Sequence, residues 1–261
     1  MTSESQVMRA GPGISPRSAA RIAGYGYLAI FVLALFANFF VIERLIEPED
    51  AATTADNILG SESLFRAGLV AFVLVFALDV VVAWALYLLF RPANKDLSLL
   101  TAWFRLVYTI LLGIGAVGLF TVLRLTSGSD YLAAFTTGQL DAHVTLSLEA
   151  FDYAWLIGLA CFGVHLFLLG VLGLRSGAVP RTLALLLMVA GAAYVADTLA
   201  HALLANYADY ENVFLVLVAT PSLIAELWFT LWLLLSGGKD RPTVLTGPGG
   251  QQTSPVEALT P

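Results

Sequence analysis

Five ionisable side chains stand inside stretches that are otherwise apolar: Asp79, Arg105, His165, Asp197 and Glu226. A charge at mid-depth in hydrocarbon costs about 2.5–3.5 kcal/mol on insertion scales, so such groups rarely face lipid and usually pair with one another. His165 lies in EAFDYAWLIGLACFGVHLFLLGVLGL, residues 149–174, long enough to cross a bilayer around a lone imidazole. Counting from the basic end of each stretch at ~1.5 Å per residue puts Asp79 at ~18 Å, His165 at ~15 Å and Glu226 at ~20 Å, in one layer. Arg105 starts near ~10 Å, but its long side chain can snorkel toward Asp79. Asp197 lies higher, near ~24 Å.

Helical spacing gives each of these groups a local companion. Arg105, Tyr108 and Thr109 share one face, as do Tyr194, Asp197 and His201, and as do Ser222 and Glu226. Several readings follow. In the leading one, Arg105 with Asp79 and Glu226 with His165 are neutralising pairs that fix helix packing. In another, the layer carries a proton or an ion, since intramembrane Asp, Glu and His often mark such pathways. A third makes Asp79, His165 and Glu226 ligands to zinc or iron in an intramembrane metal-dependent enzyme, although no HxxxH or HxxE spacing supports a metal. A small ligand or lipid head group is the remaining occupant. Bis-histidine haem would need two deep histidines, and only His165 is deep, so no cofactor is expected. No G-x-S-x-G nucleophile motif and no P-loop occurs.

The elements that hold these groups follow from composition. The 261 residues are 59% hydrophobic and only 12% charged, where a soluble domain is about 25% charged. The apolar residues fall into six blocks long enough to span ~30 Å of hydrocarbon: residues 22–42, 67–90, 99–123, 149–174, 182–204 and 213–236. The first lacks an A-x-A-like cleavage site and is expected to be a retained span. The reading is an all-α bundle of six transmembrane helices occupying residues 21–237, with disordered tails at 1–20 and 238–261. Residues 51–59, SDYLAAF and TGQLDAHVTLSLEAF are expected to form surface helices, and Pro221 to bend the sixth span. The lone Cys161 excludes an internal disulfide and reads as a small apolar side chain.

Six spans put both termini on one side. Placing that side in the cytoplasm gives the inner segments Arg9, Arg17, Arg21, Arg91, Lys95, Arg175, Arg181, Lys239 and Arg241, against Arg44, Arg66 and Arg124 outside. The positive-inside rule therefore predicts cytoplasmic termini in a plasma membrane. Tyr25, Tyr27, Tyr87, Trp103 and Trp232 are expected in the inner aromatic belt, and Tyr153, Trp155, Tyr207 and Tyr210 in the outer one. Gly113, Gly115, Gly118, Gly158 and Gly163 should allow close helix contacts. The bilayer is the expected partner; with a net charge of −6 and no basic patch, nucleic acid is not.

The ordered blocks RIAGYGYLAIFVLALFANFFV, DAATTADNIL with LFRAG, FALDVVVAWALYLLFRPANKDLSLLTAWFRLV, GVHLFLLGVLGLRSG, VPRTLALLLMVAGAAYVADTLAHALL and PSLIAELWFTLWLL resemble the bacterial membrane proteins grouped as domain of unknown function family 4386. The resemblance covers roughly residues 20–237. It implies a six-span membrane protein and supplies no reaction. The polar positions it carries as candidates are Arg66, Asp79, Arg105, His165, Asp197 and Glu226.

Overall fold

The structure, a computed structural model, describes residues 13–48 and 50–239. They form seven helices and no strand, and six of those helices are long and apolar enough to cross a membrane. The first, α1, runs Pro16–Leu45 and is π-helical over Phe36–Ile42. A short helix, α2, covers Ala51–Gly60. The other spans are α3 Glu62–Phe90, α4 Lys95–Leu125, α5 Thr137–Ser176, α6 Arg181–Leu203 and α7 Glu211–Leu235.

Local chemistry sets where these helices begin and end. Ser15 caps α1 through the Ser18 amide, with Pro16 in the first turn. Asn94 caps α4 through Leu97, and Thr136 and Gln139 form a capping box at α5. Asp50 caps α2, and the Thr53 amide and hydroxyl that it accepts hold its carboxyl below the ordinary range. Gly177, at φ 60°, ends α5 in a left-handed turn that only glycine adopts without strain.

The spans pack in chain order, α1 on α3, α3 on α4, α4 on α5, α5 on α6 and α6 on α7, and α7 returns to α1. The result is a closed ring. Arg17, expected in a disordered tail, fastens the seam: its guanidinium donates to the carbonyls of Leu234 at 2.6 Å and Gly237 at 2.7 Å at the end of α7. Those carbonyls have no partner within their own helix, so a cation there is favourable. Pro16–Ala20 is thus helical, while the remaining tail residues, 1–12 and 240–261, lie outside the described residues.

The outer faces carry exposed apolar side chains such as Ile110, Ile114 and Val117 on α4 and Val189 on α6, as a lipid-facing surface requires. Two expectations about the connections are corrected. TGQLDAHVTLSLEAF is no separate surface helix; it is continuous with the fourth span in a 40-residue helix. Its Val144, Leu148 and Phe151 stay helical because they are buried against Ile58, Phe65 and Val122. SDYLAAF forms only a short 3₁₀ turn over Asp130–Ala134.

Glycines set the tightest contacts. A Cβ on Gly163 would lie 2.5 Å from the Gly191 carbonyl oxygen, and one on Gly191 would lie 2.6 Å from the Phe167 nitrogen. Gly115, Gly118 and Gly158 are similarly close to neighbours, but Gly113 has open space. Gly191→Val should therefore force α5 and α6 apart at a cost of about 1–3 kcal/mol, while Gly113→Ala should be neutral or stabilising. Thermal unfolding in detergent checks both, and equal melting temperatures for the two variants would contradict the contact.

Candidate functional site

Arg105 is the largest fully buried side chain and lies inside the ring. Its Nη2 donates to Asp79 of α3 in an ion pair. Its Nη1 donates to the Tyr27 hydroxyl of α1 at 2.6 Å and lies 3.4 Å from His165 Nε2 on α5. The guanidinium carbon sits 4.6 Å from the Tyr27 ring centre and 5.4 Å from that of Phe162, so the cation lies over two aromatic rings. Its Nε is the one buried side-chain polar atom among the described residues that lacks a hydrogen-bond partner. One arginine on α4 therefore engages side chains on α1, α3 and α5.

The bonding pattern assigns the His165 proton. Its Nδ1 lies 2.8 Å from the Thr101 carbonyl oxygen, which can only accept, so Nδ1 carries the hydrogen. Nε2 faces a guanidinium, which can only donate, so it presents its lone pair. The ring is neutral, and both nitrogens are occupied. This corrects the pairing of Glu226 with His165: no ion pair joins them among the described residues, and both imidazole nitrogens are engaged by Arg105 and the Thr101 carbonyl. Asp79, His165 and Glu226 are not gathered into one ligand set: the described residues contain no group of three His, Cys, Asp or Glu side chains that could hold a metal ion.

The remaining candidates divide. Glu226 of α7 is partly buried, lies within the fields of Arg105 and Asp79, and has no ion pair. Tyr194 of α6 is partly buried, with its ring edge-on to Phe162 at 5.7 Å. Tyr108 lines the centre, its ring 4.9 Å from Phe162. Asp197 is outside the centre and accepts the Tyr207 hydroxyl at 2.6 Å. His201 is exposed and packs against the Tyr207 ring at 4.3 Å, tilted by 48°. Arg66 belongs to no site; it is exposed and pairs with Glu62 one turn away in its own helix.

Two members of the centre escape sequence reasoning. Tyr27 reads as an interfacial aromatic but is 4% exposed and bonded to Arg105; its depth within α1 is the signal that could have found it. Thr101 contributes through a backbone carbonyl, for which no residue type gives a signal. Trp232 is likewise buried, against Phe90 and Phe229.

Six helices long and apolar enough to cross a membrane, closed around a buried ion pair, define a membrane-type helical bundle of the all-α class. The chain belongs to the family described as Domain of unknown function (DUF4386), whose model matches residues 22–237. It is also similar to an uncharacterized protein of Archaeoglobus fulgidus, 33% identical over 178 residues that cover 68% of this chain and 88% of the relative. No solved structure matches the chain.

Asp79→Asn and Arg105→Gln should each destabilise the bundle by about 3–5 kcal/mol, because each leaves its partner buried and unpaired. The double variant should be less damaged than the sum of the two. Additive losses in a double-mutant cycle of thermal unfolding would show that the pair is not coupled.

Proposed function

We propose that the polar centre binds a single positive charge at Glu226, a proton in the simplest case, and passes it across the bilayer. The observation that carries this reading is the charge balance among the groups facing one another inside the ring. Asp79 and Arg105 cancel, His165 is neutral by its bonds, and Glu226 alone has no ionic partner. An ionised carboxylate left unpaired at that depth is costly, and one bound proton or small cation removes the cost. Arg105 and Asp79 are then the fixed part of the site, and Glu226 the exchangeable part.

The positive-inside count supports cytoplasmic termini, and the resemblance to bacterial proteins supports a bacterial cytoplasmic membrane, with the lipid bilayer as partner. A second reading makes the centre purely structural. It is favoured by the way Arg105 ties α4 to α1, α3 and α5 through side-chain contacts alone.

Proton flux in proteoliposomes separates the two. Under an imposed pH gradient the protein should conduct above the lipid background, and Glu226→Gln should return flux to that background while melting as the parent does. Flux at background with the parent protein would leave only the structural reading. Flux that survives Glu226→Gln would remove Glu226 as the carrier.

A further inference from the structure

We infer that the face between α4 and α5 holds a phospholipid, with one acyl chain in the groove between the two helices and the phosphate on Arg124 and His143. This site is independent of the charge at Glu226. The groove has a volume of about 440 Å³ and lies on the outer surface of the ring. Its floor follows from residue size: Gly118 packs on the Ser147 carbonyl with no room for a Cβ, and Gly115 packs on Ala154 and Phe151. Ile114 and Val117 of α4 and Leu146 of α5 are exposed and line it as apolar walls.

The dimensions select the occupant. Ile114 to Arg124 covers ~15 Å along α4, and His143 to Ala154 covers ~16 Å along α5. That is half of the ~30 Å hydrocarbon thickness, the depth of one lipid leaflet. A spanning helix from a second copy would need contact across the whole thickness, whereas an acyl chain ends at the midplane. The lining changes character over this depth, from Ile114 and Ala154 to Thr121, Ser147 and His143 near the α4–α5 connection. Val117, Thr121 and Arg124 recur at i, i+4 and i+7, so Arg124 stands at the mouth, one turn beyond Thr121.

Charge complementarity identifies the head group. The Thr121 and Ser147 hydroxyls donate to the Val117 and His143 carbonyls at 2.9 and 2.7 Å, so their hydrogens are committed. Arg124 is exposed; its Nη2 donates to the Tyr131 hydroxyl at 3.0 Å, and the guanidinium carbon lies 5.6 Å from that ring centre. No carboxylate pairs with it, Asp130 beside Tyr131 included: the ion pairs among the described residues are Arg66 with Glu62 and Arg105 with Asp79. Its other donors are left for an anion. His143 is exposed, meets the Phe135 ring edge-on at 5.7 Å, and presents an N–H in either protonation state. The acids of this part of α5, Asp141, Glu149 and Asp152, stand ~120° or more around the helix from His143. The mouth is thus a cationic notch at the depth where a lipid carries its phosphate.

The test is native mass spectrometry of the full-length protein, titrated with phosphatidylglycerol or with monogalactosyl diacylglycerol, which has two acyl chains and no phosphate. The parent should retain one phosphatidylglycerol at concentrations where the galactolipid does not bind. Arg124→Gln should weaken that binding about fivefold, the effect of one cation at an anionic lipid surface, and Arg124→Lys should restore most of it. Ala150→Trp, at an exposed position lining the groove, should remove the bound lipid, while Arg44→Gln, outside the groove, should change nothing. Equal binding of the two lipids by the parent, or phosphatidylglycerol binding that Ala150→Trp leaves unchanged, would overturn the proposal. So would a dimer of the parent that Ala150→Trp turns into a monomer, which would assign the groove to a second copy. Should Ala150→Trp fail to fold, Arg124→Gln decides alone, and undiminished binding there would overturn the site.

Discussion

A guanidinium buried among apolar helices needs its charge balanced and most of its hydrogens accepted within the protein, and Arg105, with only Nε left unpartnered, imposes that demand on the whole bundle. Asp79 supplies the opposite charge, Tyr27 and His165 take hydrogens from Nη1, and the cation lies over the Tyr27 and Phe162 rings. These partners come from α1, α3 and α5. The rotation of each of those helices about its own axis is therefore fixed, since turning any one away would strand a charge or a donor. The glycine contacts of α5 with α6 bring the chain close enough for the ring to remain small.

Much of this was legible because membranes restrict the options. Length and hydropathy place six helices with few alternatives, and depth counting selects Asp79, Arg105, His165 and Glu226 as one layer. The pair Asp79 with Arg105 follows from depth together with the reach of an arginine. The partner of His165 does not, because depth fixes only one coordinate. Which face of α5 looks at α4 rather than α7 depends on the order of helices around the ring, and adjacent depths at Glu226 and Arg105 cannot distinguish the two.

Other features were hidden for different physical reasons. Tyr27 has the composition of a belt residue, and only its rotation inward makes it a ligand of Arg105. Arg17 reads as one more positive-inside charge, yet it caps a helix more than two hundred residues away, at Leu234 and Gly237. The π-helical stretch at Phe36–Ile42 has no proline or glycine to announce it. There the Asn38 side chain bonds back to the Ala34 carbonyl at 2.9 Å, supplying an alternative to the regular ladder.

The distribution of constraint around the ring bears on how a charge could move through it. At one end α7 is held by Arg17 and by close contacts of Gly24 with Leu234 and of Gly237 with Ala20. Towards the other end Pro221 lies inside the continuous helix and removes one backbone donor. The Ser222 hydroxyl, bonded at 2.5 Å to the Val218 carbonyl, satisfies an acceptor in that turn. Beyond the proline, Val213, Leu215 and Val216 face outward rather than into the core. Glu226 thus sits between a segment fastened to α1 and one whose apolar side chains face outward. Arg105, in contrast, is enclosed by helices whose contacts cannot slide without unpairing it. In the proposed reading, a site that keeps its fixed charge among α1, α3 and α5 and its unpaired carboxyl on the proline-containing helix would exchange a proton without dismantling the ion pair on which the bundle depends.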